Sequence, residues 1–342
     1  VLRETARAEL ELHVRTLLPH LEGVDVVLGC GGAYAASTLA EAAGASFWRV
    51  AFCPIELRSR RHPPAYVPLQ LRSLPSLVCR ALWQLHRVRL DDLLRDELNG
   101  HRRALGLRPA TDTWHCIVGD RVLLACDTLL ANAPPDWPGH VVQTGAWRTP
   151  SSAALAPELE RFLAAGPTPV FAGLSSQVSA DAAATTAALV GGARRAGLRL
   201  VLARGWDGLG EGVEDEDVLV VDGAPHDALF RRVAAVVHHG GAGTIAAAAR
   251  AGVPQLAIPI SHDQYYWARR IHRAGLGPGP IPIASLSASR VTRGLRDLVL
   301  RDRYRSAAFR LRNALAGEPC SVSLAVRHIE AQESSSRPAA AR

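Results

Sequence analysis

The chain has no lysine: all 39 residues counted as Lys+Arg are arginine. That excludes Schiff-base and pyridoxal chemistry and any P-loop whose lysine reaches the phosphates. Methionine is also absent and the first residue is Val1. The start is therefore expected to have been processed away, or the sequence to begin inside a longer chain. Aromatic residues are only 5% of the chain, too sparse to interleave with a basic stripe as a nucleic-acid surface requires. The cysteines Cys30, Cys53, Cys79, Cys116, Cys126 and Cys320 form no CxxC pair and no regular spacing, so neither a thiolate metal site nor a disulfide framework is expected. Every apolar run is broken by Gly, Pro, Arg or His before the roughly 18 residues that a membrane-spanning helix needs.

What is present points to a globular chain with more than one core. The 342 residues are 48% hydrophobic and 21% charged, too long for one ordinary core and too apolar for disorder. The formal net charge is +7. Its arginines are scattered in pairs among 32 acidic residues, so no nucleic-acid partner is expected. Such a surface suits phosphorylated small molecules or peripheral contact with anionic lipid headgroups. The first residues, VLRETARAEL, read as a charged helix and not as a secretory signal. With reduced thiols, the expectation is a cytoplasmic protein, free or peripheral to the membrane, as a monomer or weak dimer.

The C-terminal half alternates short β-rich runs (169–172, 198–203, 218–221, 234–238 and 255–259) with helical stretches at 181–196, 226–232, 244–251 and 264–274. Near-continuous apolar strands between amphipathic helices predict a doubly wound parallel sheet. The N-terminal half repeats the pattern less completely. It has a helix over 2–18, strands at 24–28, 47–51, 122–125, 129–131 and 141–143, and a helix over 35–43. Residues 58–75, rich in Arg and Pro, predict an irregular loop, and 77–105 a long basic helix. Its apolar positions Leu77, Ala81, Leu82, Leu85, Leu93 and Leu94 are expected to face a core; an acceptor-side or membrane-surface helix is the alternative. The run 147–157 reads as a linker. The division is a first unit over 1–150, a second over 151–330, and a disordered low-complexity tail over 331–342.

The stretch most informative about chemistry is VVHHGGAGT at 236–244, set between a strand and a helix. Gly240, Gly241 and Gly243 let the backbone turn sharply and approach an anion closely. The helix beyond Ala242 offers unpaired N–H groups and the positive end of its dipole. The dipole contributes ~0.3–1 kcal/mol, and each hydrogen bond to a charged oxygen ~1.5–3 kcal/mol. His239 and Thr244 are placed to supply such bonds to a phosphate. A glycine turn with histidines as strand-end packing is the bland alternative. A metal site at His238, His239 and His262 is not expected, because adjacent strand residues point to opposite faces.

Context decides between these readings. AGVP (251–254), SHDQYYWA (261–268) and GLGPGPIP (275–282) follow the motif. FAGLSSQ (171–177), RGWDG (204–208) and APHDALF (224–230) precede it. This ordered set resembles the donor domain of family-1 glycosyltransferases, in the branch of sterol and antibiotic UDP-glucosyltransferases, and TGAW (144–147) and PELERFLAAG (157–166) extend the likeness. The resemblance covers most of the chain from Asp25 to His328. It implies an α/β GT-B fold: two Rossmann-like, doubly wound parallel-sheet domains facing a cleft, the N-terminal one acceptor-side and incomplete, the C-terminal one donor-binding.

The resemblance implies inverting, metal-independent transfer of a hexose from a UDP- or dTDP-sugar to a hydroxyl of a small hydrophobic acceptor, such as a sterol, lipid or antibiotic aglycone. No cofactor is required, the nucleotide sugar being a substrate. By family pattern, Ser176, His239 and the segment Gly240, Gly241, Ala242, Gly243 and Thr244 contact the diphosphate. Ala224 and His226 lie near the nucleoside, and Asp263 with Gln264 holds sugar hydroxyls. A carboxylate and a carboxamide together supply the acceptors and donor that vicinal hydroxyls need; an N-cap role for Asp263 is the structural alternative. Trp206 packs either over the nucleotide or into the core. Three departures stand out. Gly223 occupies the position where the plant branch stacks an aromatic on the base, Ala247 that of a ribose-binding Glu, and Ser175 that of a phosphate-turn glycine. The family's opening strand and glycine turn, which carry the general base, match nothing here, so that base is expected upstream of Val1. A catalytically defective donor-binding fragment is the alternative reading. A dinucleotide-dependent oxidoreductase is disfavoured, since the run GCGG at 29–32 lacks the third glycine of its fingerprint.

Overall fold

A computed structural model describes residues 2–336 except 66, 68–73, 138–139, 150, 152, 175–180 and 207. Two parallel sheets organise it. The first contains β1 (Val26–Cys30), β2 (Ser46–Ala51), β3 (Val122–Leu124) and β4 (Val141–Gln143) in sequential order. The second contains β5 (Val170–Gly173), β6 (Leu200–Ala203), β7 (Val218–Val221), β8 (Val236–His238) and β9 (Gln255–Ala257), ordered β7-β6-β5-β8-β9. Its strand order reverses between β5 and β8. A sheet of this kind binds ligands outside the carboxyl ends of its strands at that reversal.

The helices between the strands follow from capping and glycine chemistry. In α6 (Ala182–Ala196) Asp181 caps the start by accepting from the Ala184 N–H at 2.8 Å. Gly197 ends it at φ 70°, a left-handed stop that glycine adopts readily. α8 (Ala242–Ala251) ends the same way at Gly252, φ 75°. α10 (Ala288–Leu300) lies so close to α6 that a Cβ on Gly192 would sit 2.4 Å from Val291 Cγ1.

Three expectations need correcting. Residues 129–131 form a turn and no strand, because the Leu130 and Ala131 N–H groups both donate to the Asp127 carbonyl at 3.0 Å. The long helix α3 (Ser76–Ala104) buries Trp83, Leu90, Leu94 and Leu98, whereas Leu77, Ala81 and Leu85, expected in the core, are exposed. The third concerns α12 (Ser321–Ser336), which carries residues 331–336, expected in a disordered tail, back onto the first sheet. There His328 meets Trp48 edge-on at 5.5 Å. Glu333 Oε1 accepts from Ser46 Oγ at 2.8 Å and Trp48 Nε1 at 3.0 Å, and pairs with Arg121.

A shared core joins the two lobes. It combines Ala51, Ile55 and Leu124 of the first with Ile245 and Ala249 of α8, Trp267 and Ile271 of α9 (Gln264–Arg273), and Leu315 of α11 (Asp302–Ala316). Among the described residues no helix is long and apolar enough to cross a membrane.

Candidate functional site

The carboxyl end of β8 lies at the strand-order reversal, and two adjacent histidines do different work there. His238 is fully buried. Its Nδ1 accepts the Gly240 N–H at 3.0 Å, so Nε2 carries the proton and donates to Gln255 Oε1 at 3.0 Å. Burial, then the neighbouring His239, lowers its pKa to about 3, and the neutral ring holds the turn. His239 leaves the strand on the other side. Its ring is largely buried, its Nδ1 has no hydrogen-bond partner, and burial lowers its pKa to about 4.

The glycines are needed for space as well as for conformation. A Cβ on Gly241 would lie 2.4 Å from His239 Nε2, and one on Gly240 (φ 101°) 3.0 Å from the Gln264 carbonyl oxygen. Gly241 is the N-cap of α8 and supplies no side-chain cap. The first N–H groups of that ten-residue helix therefore face outward without a capping side chain, as an anion site requires. Gly243 is exposed, with open space where a Cβ would be, and Thr244 is half-buried.

The start of α9 completes this corner. Gln264 is buried, and its carboxamide oxygen accepts the Ile260 N–H at 2.7 Å and the Ser261 N–H at 3.0 Å. The expected sugar ligand thus has its acceptor engaged by its own loop. Asp263 occupies the N-cap position without a side-chain cap bond, so capping does not account for its carboxyl. Burial raises that group's pKa, against the lowering effect of His262. His262 is the one non-glycine residue at positive φ (51°) among the described residues, and its Nδ1 lies 2.9 Å from Ser261 Oγ. Strain of this kind clusters at functional sites.

The remaining expected residues lie along the same edge of the second sheet, in the segments that follow β6 and β7. Trp206 is 79% exposed, which removes its core-packing role. Ala224 is half-buried. His226 stacks on Phe230 at 4.4 Å and meets Phe171 edge-on at 6.0 Å, so its ring is engaged in packing. Ser176, with Ser175, lies outside the described residues.

Sequence reasoning missed the opposite wall, contributed by the first lobe. Glu56 accepts the Phe52 and Cys53 N–H groups at 2.7 and 3.0 Å. Burial pushes its pKa up to about 7, partly offset by Arg49, and the charge of Asp263 adds to the rise. The signal was the spacing Cys53-Pro54-Ile55-Glu56, a capping-box pattern.

Two parallel α/β lobes, with an uncapped helix terminus and glycine turn at the reversal point of the second, match the GT-B fold that the sequence resemblance implies. Sequence comparison narrows this. Residues 211–331 match the family described as erythromycin biosynthesis protein CIII-like, C-terminal domain. The glycosyltransferase GtfC of Amycolatopsis orientalis is 33% identical over 300 residues, covering 86% of this chain and 72% of that protein. Vancomycin aglycone glucosyltransferase of the same organism is 38% identical over 279 residues, 79% of this chain and 67% of that one. Among solved structures, the glycosyltransferase VinC in complex with dTDP superposes with a TM-score of 0.60 at 23% identity, covering 94% of this chain and 75% of that one. The chain belongs to the family-1 glycosyltransferases, in the group with antibiotic and sterol glucosyltransferases, and is itself a glycosyltransferase.

Proposed function

We propose that the chain transfers a hexose from a UDP- or dTDP-sugar to a hydroxyl of a small hydrophobic acceptor, with inversion and without a metal. The observation that carries this reading is the uncapped start of α8 beneath Gly240–Thr244, with His239 beside it. The donor diphosphate sits against the Ala242, Gly243 and Thr244 N–H groups, with His239 as a further donor. As the C1–oxygen bond breaks, charge grows on the leaving diphosphate, and fixed N–H groups stabilise it without reorganising. Asp263 accepts from sugar hydroxyls. Gln264 contributes chiefly by fixing the loop 260–261 against the glycine turn. The exposed indole of Trp206 lies over the nucleotide. The acceptor hydroxyl attacks C1 from the opposite face as a base removes its proton.

The acceptor side has support in the first lobe. Leu57, Arg58, Ser59 and Arg60, with Trp114, Val118, Val122, Trp137 and Val141, line a cavity of about 600 Å³. Its indoles and valines offer apolar wall for a ring-bearing aglycone, beside a charged rim of Arg58, Arg60, Arg80, Asp120 and Asp136.

The test is transfer from UDP-glucose and dTDP-glucose to a panel of aglycones, with the product anomer read by NMR. His239→Ala is expected to lower kcat/KM by about ten- to a hundredfold, the loss of one hydrogen bond to a charged oxygen. EDTA should leave the rate unchanged. A silent His239→Ala, a retained anomer or loss of rate in EDTA contradicts the corresponding part of the reading.

A further inference from the structure

The first half of α3 is apolar on two opposite sides. Its inner side buries Cys79, Trp83, Leu90 and Leu94. Its outer side carries Leu77, Val78, Leu85 and Val88, exposed by 75%, 39%, 43% and 56%, with exposed Ala81 among them. At helical periodicity these five fall within an arc of about 100°, which no charged residue enters between positions 76 and 88. The strip runs about 16 Å along the axis. A helix that packs on a core ordinarily keeps its outer side polar. In α3 this holds only beyond Val88, where exposed Asp92, Arg95, Asp96 and Arg103 take the outward positions. A continuous exposed apolar strip marks an interaction surface.

The borders of the strip decide what covers it. Arg80 and Arg89, both exposed, flank it on either side. Arg58, Arg60 and Arg61 are also exposed, in a segment pinned to the inner side of α3 where the His62 carbonyl accepts Trp83 Nε1–H at 2.9 Å. Apolar residues framed by arginine suit a helix lying in the plane of an anionic membrane surface, with its apolar side among the acyl chains and its guanidinium groups at the headgroups. A second copy seated on the same strip would set two cationic borders against each other. Asp92 and Asp96 lie past the strip, which confines the contact to the first turns of the helix.

We propose that residues 77–88 dock the protein on an anionic lipid surface, with Leu77, Val78, Leu85 and Val88 entering the acyl boundary and Arg80 and Arg89 meeting the headgroups. Arg80, with Arg58 and Arg60, also lines the cavity of about 600 Å³, so docking brings the rim of that cavity to the headgroup layer. Docking itself is independent of the transfer reading; if that reading holds, it also presents the cavity to acceptors dissolved in the bilayer.

The experiment is co-sedimentation of the full chain with vesicles. Phosphatidylcholine vesicles containing phosphatidylglycerol are expected to bind it at least about tenfold more tightly than phosphatidylcholine alone, and less so as salt rises. Leu77→Gln/Leu85→Gln/Val88→Gln should weaken that binding at least about tenfold, with an unchanged thermal melt because all three side chains face solvent. Leu77→Met/Leu85→Met/Val88→Met should bind as the wild type does. Should the Gln variant melt early, Leu77→Gln alone, at the most exposed site, takes its place with a loss of about threefold or more. Arg80→Gln/Arg89→Gln should reduce the preference for phosphatidylglycerol. Absence of binding to the anionic vesicles, or binding that the Gln substitutions leave intact, overturns the proposal. So does a concentration-dependent dimer that the triple Gln variant abolishes, without vesicle binding, which would make the strip an interface between copies. Calorimetry with UDP on the same protein keeps the two readings apart: if UDP fails to bind, the donor reading falls while docking is still decided by the vesicles.

Discussion

At the residue scale, three buried histidines give the fold a dependence on pH. Burial lowers the pKa of His62 and His239 to about 4 and of His238 to about 3. Between pH 6.5 and about 4 the unfolded chain binds protons at these positions that the folded chain does not. Stability is therefore full above about 6.5 and falls as the solution is acidified. Each such proton costs ~1.4 kcal/mol per pH unit. Glu56 works in the opposite direction. Its folded pKa is raised to about 7, so its contribution is full below the ordinary carboxylate range and is lost as pH rises toward 7. With His62, His86, His226, His238 and His239 all lowered by burial against Glu56 and Asp263 raised by it, Tm should fall from pH 6.5 to 4.5 in a thermal-melt series; a flat or rising profile would contradict this assignment. Part of this chemistry was legible in sequence. His239 and the glycines stood out through the HHGGAGT run. That the Gln264 oxygen serves its own loop, and that Asp263 occupies a cap position without capping, depend on side-chain directions that a one-dimensional pattern does not contain.

At the element scale, the second lobe depends on close helix contact. Gly192 of α6 faces Val291 of α10 with no room for a methyl group. Gly192→Ala should destabilise the protein by about 1–3 kcal/mol, the usual cost of overpacking, seen as a lower urea midpoint with the m-value retained. Donor binding at the distant α8 terminus should persist at low temperature. The strands of this lobe were readable because apolar runs between glycine and proline signals leave little ambiguity; the segment 218–221 is strand as expected. The elements misread were those governed by contacts distant in sequence. The tail composition at 332–336 suggests disorder, yet Glu333 anchors α12 to Trp48 and Arg121, some 200–300 residues away. Likewise Leu77 and Leu94 both suit a core face on α3, and only packing against Leu10, Leu39 and Ile117, distant in sequence but in the same lobe, determines that Leu94 is buried while Leu77 is exposed.

At the scale of the whole molecule, the lobes are coupled through the helix that carries the donor site. Asp127, following β3, is fully buried. It accepts the Ala146 N–H at 2.9 Å and pairs through both oxygens with Arg250, in the last turn of α8. Removing one partner of such a pair leaves an uncompensated buried charge, so α8 is held from both ends: by the shared apolar core and by this ion pair. The 123-residue separation of Asp127 and Arg250 explains why neither residue drew notice in the sequence. The same helix then presents its free N–H groups at the opposite terminus.

That terminus provides the most direct test. Gly241 has φ −69° and ψ 139°, the extended backbone that suits a residue before proline, and the first helical position tolerates proline well. Ala242→Pro therefore removes one N–H from the anion site while keeping the helix. Calorimetry of UDP-glucose and dTDP-glucose on the wild-type and Ala242→Pro proteins, at matched Tm, should show donor affinity reduced about ten- to a hundredfold. Unchanged affinity for both donors would contradict diphosphate binding at the start of α8.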